Sequence, residues 1–268
     1  MKQALLTIGF IFISIVVFSQ KMPNIQEAAM KAPGDVKIDG ISKEWSKKLQ
    51  AHNRATGLNY TLANDVNNLY LVIQINDPVI INKVISAGIT LSIKKNGNLN
   101  DVQSITYPYF DVNNKPQIDV KNTPKIDSSK ASKIKADSFM TANNQKLFEK
   151  SRWIKVSGIK ELDTLMSVYN REGIKAAQRF DNQMNYTIEL SIQLRHLGFS
   201  ANTADKFEYK VTSNGATMMS LNGISFDTPK PGTNARKVLT IGPGAMPPST
   251  LPIMMSTTDF KGVYTLVK

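Results

Sequence analysis

A period of two in the apolar residues is the feature of this sequence that most restricts its fold. Between Asn68 and Asn76, Leu69, Leu71, Ile73 and Ile75 fall on one side while Tyr70, Val72, Gln74 and Asn76 fall on the other, the pattern of a β-strand. Turn-forming residues frame the run, Asn64-Asp65-Val66-Asn67-Asn68 before it and Asp77-Pro78 after it. The alternation returns in Leu58, Tyr60 and Leu62, in Ile89, Leu91 and Ile93, and in Tyr186, Ile188, Leu190, Ile192 and Leu194. Weaker strand signals lie at 102–107, 153–156, 165–169, 207–211 and 262–267. Residues 174–180 contain good helix formers as well, and strand is preferred there. Asn96-Gly97 accepts the positive φ of a hairpin turn. So many short strands with turn punctuation predict an all-β fold, an antiparallel two-sheet sandwich resembling a jelly roll, with short helical turns. Alternation further predicts that each sheet is wet on one face.

Other segments modify this plan. Val36-Lys37-Ile38 reads as a short strand ending in Asp39-Gly40, and Ile41, Trp45 and Leu49 recur every four residues as a helical turn that Ser42 could cap. Residues 111–150 are rich in Lys, Asn, Ser and Asp without periodicity, and residues 216–256 are rich in Gly, Pro, Met and Thr. Both are expected to be flexible insertions, the first with a little helix near Ser138 to Phe148. Together these predict a signal peptide over 1–19, a linker over 20–34 and a single sandwich domain over 35–268.

The expected signal rests on Lys2 followed by an apolar run from Ala4 to Phe18, shorter than the roughly 20 residues that cross a bilayer. Cleavage after Ser19 would give a periplasmic or extracellular protein that does not span the membrane. The chain has no cysteine, which excludes disulfides, thiolate metal sites, covalent c-type haem and a cysteine nucleophile. Its net charge of +12 favours acidic partners. In an exported protein these are acidic polysaccharide, lipopolysaccharide or an anionic membrane face, and nucleic acid is not expected.

Val36-Lys37-Ile38-Asp39-Gly40 followed by Glu44-Trp45, then Asn68-Leu69-Tyr70-Leu71-Val72-Ile73 with Asp77 behind it, is similar to the opening of family 9 carbohydrate-binding modules and their DOMON-like relatives. The strand from Tyr186 to Leu194, with Glu189 inside it and Leu197-Gly198 after it, looks like the later part of that pattern. Residues 165–176 and 258–264 also resemble a group of uncharacterised secreted proteins from Bacteroidetes-type bacteria. The resemblance implies a β-sandwich, a packing role for Trp45, and a ligand that is a sugar. Some DOMON-like domains hold haem between axial Met, His or Lys, so a haem-binding electron carrier is one alternative function. An envelope or secretion-associated structural protein with no small ligand is another.

Catalytic chemistry finds little support. His52 and His196 are the only histidines, and the sequence lacks a Gly-x-Ser-x-Gly elbow, a His-Glu-x-x-His motif and a phosphate-binding glycine loop. Glu189 and Asp77 are the acids that a glycosidase would use, but a solvated strand-face acid and a turn acid are the simpler readings. The chain is therefore expected not to be an enzyme. No cofactor is expected, although Asp35 with Asp39 and Asn64-Asp65-Asn67 could offer calcium oxygen ligands. Aromatic rings stack on the C–H faces of sugars. The densest group is Tyr107, Tyr109 and Trp153, which flanks the first insertion on both sides and is the expected ligand-binding site, with Lys130, Lys133 and Lys135 beside it to attract acidic groups. The expected function is a secreted, non-catalytic protein that binds a glycan or envelope polysaccharide.

Overall fold

The computed structural model describes residues 21–45, 49–95, 102–111, 114–125, 127, 129–227, 238–242 and 245–268. The expected signal peptide lies outside these residues. Thirteen strands are described, and two antiparallel sheets face each other as expected. Sheet A runs in the order β1 (Ala51–Asn53), β2 (Leu58–Asn64), β3 (Asn68–Ile75), β9 (Tyr186–Gln193) and β8 (Ile174–Phe180). Sheet B runs β13 (Thr258–Thr265), β10 (Lys206–Ser213), β4 (Ile89–Lys95), β5 (Val102–Tyr109), β6 (Trp153–Ser157) and β7 (Leu165–Ser167). A small hairpin, β11 (Ile224–Asp227) with β12 (Val238–Ile241), stands apart. The core lies between the two large sheets. Leu69, Leu71, Ile73, Ile75, Ile188, Leu190 and Ile192 are all buried there, packed in one cluster with Ile89, Leu91, Ile93, Phe207 and Val211 of sheet B.

Two-sidedness corrects the simple alternation rule. Thr61, Ala63, Tyr70, Val72, Thr187, Glu189 and Ser191 point away from that core, yet they are buried too. Met30, Ala32, Val36, Ile38, Trp45 and Leu49 pack over Ala63, Tyr70 and Val72 among them. Trp45 ends a short 3-10 helix, Ser42–Trp45, and is fully buried against Ala63, Tyr70 and Val72, with its ring centroid 5.6 Å from that of Tyr70. Trp45 is thus a packing residue, as the resemblance implies. Val36 and Ile38 join this cover as irregular chain and do not form the expected strand.

One carboxylate fastens the cover. Glu189 in the middle of β9 is fully buried, neither solvated nor in a cleft, and accepts the backbone N–H groups of Asp39 (3.0 Å) and Gly40 (2.7 Å) and the indole N–H of Trp45 (2.8 Å). Gly40 has φ +79, and a Cβ there would come within 2.7 Å of the Gln178 carbonyl carbon, so no other residue lets the turn approach β8 this closely.

Described parts of the segments expected to be linker or flexible are held by side-chain amides. Gln26 accepts from Leu62 N–H and donates to Leu62 C=O, both at 2.8 Å, on the stretch of β2 that β1 leaves unpaired. Farther along, Asn64 N–H donates to Met30 C=O and Ala32 N–H to Asn64 C=O. Residues 24–32 therefore extend the edge of sheet A. Within 111–150, α2 (Lys130–Lys150) is a 21-residue helix capped by Ser129, longer than the little helix expected near Ser138 to Phe148. Asn143 brackets Asp119, Asn144 brackets Phe180, and Asn222 brackets Ile118, each through one accepted and one donated bond. Ile118, Val120 and Leu147 are buried in the main core. In 216–256, Ala216, Leu221 and Met254 form a small cluster of their own.

A second helix, α1 (Pro78–Ala87), was not expected either. Asp77 caps it by accepting from Val79 N–H (2.8 Å) and Ile80 N–H (3.1 Å), and Pro78 occupies the first turn. Its apolar residues are β-branched and nearly continuous, which hides a helical period, but Ile81, Val84 and Ile85 share one buried face. The last short helix is α3 (Leu251–Met255). Among the described residues, no helix is long and apolar enough to cross a membrane.

The Glu189 clamp makes stability depend on pH. Burial pushes this carboxyl up to about 7, while its three N–H donors offset part of the rise. The folded state then binds the proton more tightly than the unfolded chain, so this stabilisation is complete below about pH 4.5 and is lost as pH rises through about 7. The loss amounts to about 3 kcal/mol. Glu189→Gln removes the titration, keeps one accepting oxygen and turns its N–H₂ toward the donor or donors of the other. The unfolding free energy of the wild type minus that of Glu189→Gln, measured by urea denaturation from about pH 4 to about pH 8, should fall across that window, and a difference that does not change with pH would contradict the assignment.

Candidate functional site: the outer face of sheet B

Covering one sheet leaves the outer face of the other in water. The strand registers order its side chains into rows. One row crosses β13, β10, β4 and β5 as Val263, Glu208, Lys94 and Val102. The next is Lys261, Lys210, Ser92, Ser104 and, on β6, Ser157. A third runs Asp259, Thr212, Thr90, Thr106, Lys155 and, on β7, Leu165. The last is Tyr109, Trp153 and Ser167. Apart from buried Thr212, the face presents hydroxyls and lysines, with Trp153 exposed at its far corner. A shallow hollow of about 510 Å³ lies over Ser92, Lys94, Glu208, Lys210, Lys261 and Val263. Lys94 and Glu208 approach to 3.9 Å, an exposed pair worth little energetically.

The three expected ligand-binding rings separate here. Thr106 stands opposite Lys155 and Tyr109 opposite Trp153, so Tyr107 and Pro108 face the single residue Ile154. This is a β-bulge, and it reverses which face the following residue takes. Tyr107, on the same parity as buried Ile105, points into the core at 2% exposure, and the residue that the bulge turns over is Tyr109. The Tyr107 hydroxyl meets Ser151 and Gln178, and burial raises its pKa. Tyr109 points outward beside Trp153, with the Lys155 ammonium 5.6 Å from its ring centroid. Simple parity would have kept the two tyrosines together; the bulge is why it fails. Lys130, Lys133 and Lys135 stand exposed on the first turns of α2, and Lys155 is the cation that reaches the rings. Lys155, Lys210, Lys261 and Ser92 were not singled out from the sequence, although their place on the polar parity of strong strands was a usable signal.

The other acids, histidines and turns serve structure. Asp77 caps α1, and Asp65 spends its oxygens on Asn67 N–H, Asn68 N–H and the Tyr70 hydroxyl. Asp39 accepts from Ile41 N–H. His52 pairs with Asn59 Oδ1 at 2.9 Å, and buried His196 places Nε2 against the Glu172 carbonyl. Neither histidine has a carboxylate or hydroxyl partner among these bonds. Among the described residues, no three Asp, Glu or His side chains gather as metal ligands.

The bulge predicts different outcomes for neighbouring rings. Tyr107→Ala should cost about 3–5 kcal/mol in chemical denaturation, the range for emptying a buried aromatic site, whereas Trp153→Ala should change stability by less than about 1 kcal/mol. Equal losses would place both rings in the core. No protein-family model matches this chain, and no curated protein matches it.

Proposed function

We propose that the chain is an exported, non-catalytic binding protein that holds an acidic glycan, such as an envelope polysaccharide, on the outer face of sheet B. The observation that carries this reading is the row structure of that face, in which lysine and hydroxyl side chains lead to the exposed ring of Trp153. Each part suits one component of an acidic sugar. The C–H face of a pyranose stacks on the indole, ring hydroxyls exchange bonds with Ser92, Ser104 and Thr106, and carboxylates lie near Lys155, Lys210 and Lys261. An open, flat surface suits a polymer lying along it better than a small molecule that needs enclosure. Five lysines, 94, 155, 206, 210 and 261, face Glu208 and Asp259, in keeping with the chain's net charge of +12.

Titration with polygalacturonate tests the proposal. Binding is expected to be weak, and to vanish near about 0.5 M salt as exposed charges are screened. A stacked ring contributes on the order of 1 kcal/mol, so Trp153→Ala should weaken binding several-fold, and Lys210→Glu with Lys261→Glu should weaken it further. Neutral dextran should not bind. Failure of polygalacturonate to bind the wild type would favour a structural envelope role with no small ligand.

A further inference from the structure

The edge of sheet A at β8 carries an unfilled strand position. Asp181 N–H donates to Asn185 C=O, and Gln193 N–H to Gly173 C=O, which fixes the ladder phase: odd residues of β8 bond to β9, and the backbone groups of even residues point outward. Two of these outward positions are occupied. Asn144 brackets the N–H and C=O of Phe180, and Asn170 donates to the C=O of Ile174 at 2.6 Å. Between these clamps, the N–H and C=O groups of Ala176 and Gln178 have no partner among the described residues. They do not end in bulk solvent. Ala176, Ala177 and Gln178 line a cleft of about 700 Å³ that runs along the strand beneath α2.

The cleft has distinct walls. Its inner side is lined by Ala176, Gln178, Met140, Leu147 and Val168. On its outer side Lys175 and Arg179 are exposed and share one strand face, two residues either side of Ala177. Phe148 and Tyr169 also line the cleft, and the Arg152 guanidinium lies over both rings, 5.8 and 5.6 Å from their centroids.

We propose that this edge accepts a short extended peptide as an added strand, with apolar side chains opposite Ala176 and Gln178 and acidic ones opposite Lys175 and Arg179. This goes beyond the glycan reading and uses a different surface. Strand addition supplies main-chain bonds for affinity and alternate side chains for selection. The clamps at Ile174 and Phe180 are six residues apart, about 20 Å of strand, which limits the insert to about five residues. Asn144 also prevents the edge from growing farther, as exposed edges otherwise invite aggregation.

The probe is the capped peptide Glu-Val-Thr-Val-Glu, titrated into the full chain while backbone amide resonances are followed. Binding with shifts centred on the amides of Ala176 and Gln178 is expected. N-methylation of both valines removes the donors to the Ala176 and Gln178 carbonyls without touching the protein, and should lower affinity at least about tenfold. Lys175→Glu with Arg179→Glu should weaken the acidic peptide to a similar extent and favour a peptide with Lys in place of Glu. Ala176→Pro should abolish binding, since its lost N–H is not part of the β8–β9 ladder. The proposal is overturned if the peptide does not bind, if the N-methylated peptide binds as well, if the shifts fall elsewhere, or if polygalacturonate displaces the peptide from these amides. Loss of polygalacturonate binding in Trp153→Ala would leave it standing.

Discussion

Every backbone N–H and C=O removed from water needs a partner, and in this chain the segments outside the sheets meet that need through side-chain amides. Gln26, Asn64, Asn143, Asn144 and Asn222 each offer one residue the pair of bonds that a neighbouring strand would have given. Their partners are Leu62, Val267, Asp119, Phe180 and Ile118 respectively. An Asn or Gln amide carries a donor and an acceptor at about the spacing of a peptide group, so one side chain can stand in for one residue of strand. The N-terminal segment, α2 and the chain around Asn222 are held to the sandwich in this way, with few large apolar residues. Ala176 and Gln178 are the break in that pattern on β8, and their exposure to a cleft gives the break its interest.

Glu189 sets the polarity of the whole molecule. A carboxylate inside a sheet is costly unless it is well hydrogen-bonded, and here its three donors all come from the Asp39–Trp45 segment. The same contact that offsets part of the cost of the charge therefore holds the cover over sheet A. Once Trp45 and its neighbours seal that side, the broad polar face that remains is the outer face of sheet B, where Lys155, Lys210 and Lys261 stand among serines and threonines. A proposed glycan surface on sheet B thus depends on a clamp on the far side of sheet A.

The sequence made the sandwich legible wherever one face was core and its partner water, as along β4, whose buried Ile89, Leu91 and Ile93 alternate with less buried Thr90, Ser92 and Lys94. It misled where both faces are buried, because polar Thr187, Glu189 and Ser191 on β9 look solvated until a covering segment is known. Asn-rich stretches read as flexible since the bonds of Asn143 and Asn144 reach partners 24 and 36 residues away, beyond any local pattern. In α1, nearly continuous Val and Ile concealed a helix that the cap at Asp77 could have revealed. The inward turn of Tyr107 follows the parity of Ile105, but the bulge that turns Tyr109 outward beside Trp153 leaves no mark in residue spacing.

Native-state hydrogen exchange resolved to single amides tests this picture most directly. The amides of Leu62, Ile118, Asp119, Phe180 and Val267 should exchange slowly, since each donates to a side-chain carbonyl, while those of Ala176 and Gln178 should exchange much faster than their ladder-bonded neighbours Ala177 and Arg179. Fast exchange at all five bracketed amides would mean that the polar segments are not held by their Asn and Gln residues. Slow exchange at Ala176 and Gln178 would mean that the β8 edge is already filled.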